Sequence, residues 1–168
     1  SYIQMVKSDI WKDILSSIKQ YDLPPECLCA ELTESGYTDM TPYFYKLRKK
    51  FEEKNIQFVL DDFGTGYSNL HCIVNMKPNY VKLDKDFTAK AMSNARNFEL
   101  LKKIVEMVHS VDIRICIEGI EKEEWYQKLK EIHVDYLQGY LFGKPCEKNQ
   151  FLNKFIFHCI DQENLTDL

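Results

Sequence analysis

The feature that most constrains this chain is a repeated order. A short apolar run ends on a polar residue, and a stretch with helical spacing follows. The runs are LCAELT (28–33), QFVLD (57–61), YVKLD (80–84), IRICIE (113–118) and YLQG (136–139). Between them, residues 9–20 carry Ile10, Trp11, Ile14, Leu15 and Ile18 at helical spacing. Thr41 can cap a helix with Pro42 in its first turn, running to about Lys54, and Asn55 can serve as its left-handed stop. Further helices are expected over 69–76, 94–110, 122–132 and 148–160, with 62–68 a loop. Strands alternating with helices across short connections imply a parallel sheet. The runs read as near-continuous apolar stretches, as strands covered on both faces should.

Composition narrows the function. The 168 residues are 45% hydrophobic and 13% aromatic, enough for one packed core and against disorder. Lys and Arg number 22 against 26 Asp and Glu, a net charge of −4, which argues against a DNA-backbone binder. No apolar stretch reaches the ~18 residues of a membrane span, so no membrane contact is expected from this segment. The six cysteines form one C-x-C and no C-x-x-C, which suits a reducing, cytoplasmic location better than a zinc site. His71, His109, His133 and His158 show no ligand pattern, and Phe151, Phe155 and Phe157 read as packing of the last helix.

The strand ends carry the chemistry. Glu31 interrupts the first run, Asp61 and Asp62 end the second, Lys82 and Asp84 the third, Glu118 the fourth and Gln138 the fifth. In a parallel sheet these ends converge on one mouth, where barrel and open-sheet enzymes place their sites. Each alone is an ordinary turn, cap or rim residue, and Asp84 reads as a cap of the turn after it. Five together are a pattern. Four crowded carboxylates repel unless cations intervene, and hard oxygen donors favour Mg²⁺ or Mn²⁺. Asp61 or Asp62 between two ions gives the two-metal geometry of phosphoester hydrolysis. Lys82 can orient or help deprotonate a water, or stabilise phosphate charge. Gly64-Thr65-Gly66 is no Walker loop, since no Gly-Lys-Ser/Thr follows, and its default is a tight turn beside the acids.

Five segments in order now define a resemblance: Glu-Leu-Thr-Glu-Ser (31–35), Asp-Asp-Phe-Gly-Thr-Gly-Tyr-Ser (61–68), Val-Lys-Leu-Asp (81–84), Glu-Gly-Ile-Glu (118–121) and Gln-Gly-Tyr-Leu-Phe-Gly-Lys-Pro (138–145). The chain resembles the EAL domain, a bacterial phosphodiesterase that hydrolyses cyclic di-GMP. The resemblance implies an α/β fold, a TIM-like (β/α) barrel present here in part, as about five βα units. It implies two Mg²⁺ or Mn²⁺ ions held by Glu31, Asp61, Asp62 and Glu118. Lys82 would assist the nucleophilic water, with Gln138 close to that water. Glu34 would hold the loop containing Phe63, Gly64, Thr65 and Gly66, a loop tied in the family to metal binding and dimerisation. The product would be linear pGpG.

No Glu-Ala-Leu occurs in this chain, nor the Arg that usually follows it, nor the family's metal-binding Asn upstream of Glu31. Residues 1–168 are therefore expected to be the C-terminal two-thirds of one barrel domain. Alone they are expected to have little diesterase activity and to self-associate, as a homodimer for example, through unpaired edges. A GGDEF or sensor domain upstream, and tethering of a parent protein to a membrane, are compatible with the family. The competing readings are a catalytically silent EAL domain acting as a cyclic di-GMP receptor or protein-interaction module, and an unrelated Mg²⁺ barrel enzyme acting on a carbonyl acid.

Overall fold

The computed structural model describes residues 10–33, 42–65 and 69–157. Among the described residues five parallel strands form one sheet in chain order: β1 (Cys29–Thr33), β2 (Gln57–Phe63), β3 (Tyr80–Leu83), β4 (Arg114–Ile117) and β5 (Tyr136–Leu137). The helices are α1 (Ile10–Tyr21), α2 (Pro42–Glu53), α3 (Asn69–Met76), α4 (Lys85–Ala91), α5 (Ala95–His109), α6 (Glu123–Lys130) and α7 (Lys148–Phe151). Sequential neighbours joined by helices are the wiring of a (β/α) barrel wall, as expected.

One face of this sheet makes the core. Leu32, Phe58, Leu60, Val81, Leu83, Ile115 and Ile117 are buried against Phe51, Met76, Leu101, Val105 and Leu129 of the helices. Each such Leu or Ile contributes roughly 2 kcal/mol through area removed from water. The opposite face corrects the reading of strands covered by apolar matter on both sides. Cys29 and Glu31 are exposed while Ala30 and Leu32 between them are buried. Gln57, Tyr80 and Arg114 are half-buried on that face too. Period-two alternation hides in strands this short, because Val59 and Cys116 put apolar residues on the second face and make the runs read as continuous.

Several boundaries differ from expectation. β2 continues to Phe63 rather than ending at Asp61, so Phe63 is a buried strand residue and not part of a loop. Helix α4 falls where only a turn was expected, started by Asp84, whose Oδ1 accepts the amide hydrogens of Asp86 and Phe87. The last helix is α-helical only over Lys148–Phe151 and continues as a π-helix over Leu152–Phe157. Asn55 does stop α2 in the left-handed region, at φ 56°. Asn94 caps α5 by accepting from the Asn97 amide at 2.9 Å. Thr41, Glu34, Gly66 and His158 lie outside the described residues.

Side chains close the lower ends of the strands. Asn79 Oδ1 accepts the Phe58 amide at 2.7 Å, and Asp135 Oδ2 accepts the Ile115 amide at 2.9 Å. Each replaces a carbonyl where a neighbouring strand has not yet begun. No helix among the described residues is long and apolar enough to cross a membrane.

Candidate active site

The site is built at the carboxyl ends of the strands, from residues on the inner face. Lys82 is the centre. It is 8% exposed, in the middle of β3. Register places Val81 opposite Leu60 on one side and Lys82 opposite Cys116 on the other. Its ammonium lies 2.8 Å from Glu118 Oε1, 3.2 Å from Asp61 Oδ1 and 3.2 Å from Glu31 Oε1. Three of the four carboxylates expected at the mouth therefore meet at one nitrogen.

Asp62 reaches the same place by a bulge. Leu60 pairs with Val81 and Phe63 with Leu83, so Asp61 and Asp62 together stand opposite Lys82 alone. Asp62 adopts φ 57°, a left-handed conformation that Asp tolerates better than most residues. Its carboxyl titrates above the usual range, because burial disfavours the charge and Asp61 and Asp84 add repulsion. Gly64, at φ 102°, and Thr65, whose hydroxyl donates to the Asp62 carbonyl at 2.9 Å, then turn the chain away. Asp84 is a helix cap, and its bearing on the site is the charge it adds beside Asp62.

Electrostatics hold Lys82 as an ammonium. Burial alone would lower its pKa, but the hydrogen bond and charge of Glu118, with the charges of Asp61 and Glu31, outweigh burial and raise it. Beside it on β4, burial and then Glu118 push the Cys116 thiol up to about 12, so that sulfur is a neutral spacer. Asp61 Oδ1 is fully buried and, although close to Lys82, lacks a hydrogen bond of acceptable geometry. A buried carboxylate oxygen held by charge alone has spare coordinating capacity.

Glu118 and Gln138 are fixed by two glycines. Gly119, at φ 75°, turns the chain after Glu118, and a Cβ there would come within 2.6 Å of the Lys85 Cβ. Gly139 lies on the backbone of Ile120, whose amide donates to the Gln138 carbonyl at 3.1 Å. The Gln138 amide donates in turn to the Ile117 carbonyl at 2.9 Å. This ladder holds Gln138, which is exposed, at the lip of the mouth beside Glu31 and Lys82, in a cavity of about 440 Å³.

A polar layer below the acids was not foreseen. Arg114 hydrogen-bonds the Tyr136 hydroxyl, donates to Gln57 Oε1 at 3.4 Å and sits over the Tyr80 and Tyr136 rings at 6.0 and 5.4 Å. The Tyr80 hydroxyl meets Cys29 Sγ at 3.0 Å. Its sequence signal is the same alternation that locates the site, read two residues back from Glu31 and Lys82 and four back from Asp61 and Glu118.

The donors are all hard oxygens, suited to Mg²⁺ or Mn²⁺. Among the described residues no three His, Cys, Asp or Glu side chains form a ready-made cage, because Lys82 draws the acids onto itself. The unbonded Asp61 oxygen and the excess of carboxylates over local cations fit a divalent ion once Lys82 releases a partner.

Fold and site together define a (β/α)-barrel protein with a lysine-centred acidic mouth. The EAL domain family model matches residues 1–145, and the chain belongs to that family. It is 31% identical over 129 residues to Cyclic di-GMP phosphodiesterase PdeL of Escherichia coli (strain K12), covering 77% of this chain and 36% of PdeL. The EAL domain of Mycobacterium smegmatis DcpA superimposes with a TM-score of 0.83 at 24% identity, over 90% of this chain and 68% of that one. Klebsiella pneumoniae BlrP1 in a manganese and cyclic di-GMP complex superimposes with a TM-score of 0.74 at 25% identity, over 82% of this chain and 35% of that one. The chain spans 20% and 18% of the length of two further curated relatives, from Azorhizobium caulinodans and Bacillus subtilis.

Proposed function

We propose that this chain supplies the hydrolytic centre of a metal-dependent phosphodiesterase that opens one phosphodiester of cyclic di-GMP with water, giving linear pGpG. The observation that carries the reading is the convergence of Glu31, Asp61 and Glu118 on Lys82, with a buried Asp61 oxygen free of hydrogen bonds. The names of PdeL and of the BlrP1 complex support the substrate and a divalent ion.

In this reading Glu31, Asp61, Asp62 and Glu118 would hold two Mg²⁺ or Mn²⁺ ions. Such ions, when bound, polarise the phosphate and acidify the attacking water. The rest falls to the chain. Lys82, an ammonium while the three acids surround it, donates hydrogen bonds that orient the water oxygen and offset charge growing on the phosphoryl oxygens. The Gln138 amide positions the same water at the lip. As the water oxygen bonds to phosphorus the P–O3′ bond breaks, the water loses one proton to solvent, and the leaving oxygen takes one up. Phe63 anchors the bulge from the core, Gly64 and Thr65 turn the loop, and Glu34 and Gly66 enter by motif alone.

The same reading takes residues 1–168 as the C-terminal two-thirds of the barrel, in keeping with the 68% of the DcpA chain that they span. It places the protein in the cytoplasm, in keeping with the free cysteines Cys27, Cys29, Cys72, Cys116 and Cys146. Self-association and an upstream GGDEF or sensor domain belong to it as well. The test is incubation of purified protein carrying this chain with cyclic di-GMP and Mg²⁺ or Mn²⁺, and with Ca²⁺ as the inhibitory arm. Appearance of pGpG supports the reading. Nucleotide binding without cleavage points instead to the receptor role, and neither result ends the assignment to this substrate.

A further inference from the structure

Phe87 lies outside the cavity of Glu31, Lys82 and Gln138, yet it is tied to two residues of the mouth. Strand β2 leaves the mouth through a turn. In it Thr65 donates its amide, at 3.2 Å, and its hydroxyl, at 2.9 Å, to the Asp62 carbonyl. Phe63 and Gly64 are the inner pair of that turn, and Gly64 stands at φ 102°, which glycine adopts freely. The ring of Phe87 occupies the side of Gly64 where other residues carry a side chain. A Cβ there would lie 3.1 Å from Phe87 Cδ2 and 3.4 Å from Phe87 Cγ. Leu83 Cδ1, at 3.5 Å, closes the seat from β3.

The ring is itself fixed from the other side. Asp84 Oδ1 accepts the amide hydrogens of Asp86 at 2.8 Å and of Phe87 at 3.3 Å, which sets the first turn of α4. Thr88, fully buried, donates its hydroxyl to the Asp84 carbonyl at 3.0 Å. The Asp84 amide donates to the Phe63 carbonyl at 3.3 Å. A closed circuit results. Lys82 leads through Leu83 and Asp84 to the Phe87 ring, the ring to Gly64, and Gly64 back to Asp62. Asp62 needs such support, because a residue with a side chain keeps a φ of 57° only where its surroundings hold it there.

We propose that Phe87 is a positioning residue for the reacting centre. Seated on Gly64, its ring keeps the turn of residues 62–65 closed and so holds Asp62 beside Asp61 at the mouth. The role rests on the phosphodiesterase reading for its effect on turnover, whereas the hold on Asp62 is measured without it.

The Cα and Cβ NMR shifts of Asp62 report that hold, since they follow the backbone angles. In the 168-residue chain, Phe87→Ala and the milder Phe87→Val are expected to move the Asp62 shifts toward those of an averaged backbone, Ala further than Val. Phe87→Leu keeps apolar bulk against Gly64 and is expected to restore most of the wild-type values. Leu129→Ala, at a fully buried position on α6, lowers the melting temperature and is expected to leave the Asp62 shifts unmoved. In protein carrying the chain, Phe87→Val is expected to lower kcat for cyclic di-GMP about tenfold, with KM within about twofold, because a misplaced reacting group slows turnover more than it weakens binding.

Unmoved Asp62 shifts in the folded Val variant overturn the inference, as does an equal movement in Leu129→Ala. Moved shifts with wild-type kcat overturn it too and leave Phe87 a packing residue. Cleavage by none of the proteins, wild type included, sinks the hydrolytic reading, and the Asp62 shifts still decide the hold.

Discussion

Gly139 rests directly on the main chain of Ile120, closer than any side chain could allow. The contact joins the turn after β4 to the end of β5, and three hydrogen bonds surround it: Ile120 to Gln138, Leu141 to Ile120, and Gln138 to Ile117. Two strand ends that carry Glu118 and Gln138 are thereby locked in one relative position.

Gly139→Ala is therefore expected to act beyond its size. The added methyl meets backbone, not a flexible side chain, so the two strand ends must separate. Overpacking of this kind costs about 1–3 kcal/mol. Urea denaturation should show that loss. Cleavage by protein carrying the chain should fall at least about tenfold, because Gln138 and Glu118 move apart.

Lys82→Met removes the cation that three acids share, two of which are mostly buried. Leaving such charges unpaired costs about 3–5 kcal/mol. The variant should melt well below wild type in chelator. Mn²⁺ should raise its melting temperature more than that of wild type, since the ion no longer competes with an ammonium for the same oxygens. Thermal melts with and without Mn²⁺ measure both effects, and an equal Mn²⁺ response in the two proteins would remove Lys82 as a competitor.

Much of this was legible from residues, and the failures have physical causes. Strand order, parallel pairing and the convergence of residues 31, 61, 82 and 118 follow from polar residues ending apolar runs, because parallel strands share one direction. The bulge at Asp61 and Asp62 was not legible, since an extra residue shows only as a phase shift in the alternation and Phe63 alone follows it in the strand. Helix α4 was missed because KDFTAKA is too short to show a helical stripe, although Asp84 was correctly read as a cap. The inner face went unread where Tyr80 and Arg114 look like ordinary residues of an amphipathic strand and become neighbours only through register.

Asp84 separates cap from chemistry. A Ser at this position keeps a cap acceptor for Asp86 and Phe87 and removes a negative charge from beside Asp62. Asp84→Ser should retain stability within about 0.5 kcal/mol, whereas Asp84→Ala should lose about 1 kcal/mol. Cleavage by the Ser variant should stay within about threefold of wild type. A loss as large as that of Lys82→Met would make Asp84 part of the reacting centre, and paired denaturation and cleavage measurements decide it.

Asp135 offers the opposite case, a charged residue whose work is structural. Its Oδ2 accepts the buried Ile115 amide at 2.9 Å and lies 2.8 Å from His109 Nε2, at the end of the sheet away from the mouth. Asp135→Ala leaves that amide without a partner, at a cost of about 1–3 kcal/mol. Asp135→Asn keeps an acceptor for Ile115 and should recover most of it. Denaturation midpoints should fall in the order wild type, Asn, Ala. Native-state hydrogen exchange should quicken at Ile115 in the Ala variant, while the affinity for Mn²⁺ stays that of wild type because no acid of the mouth has moved.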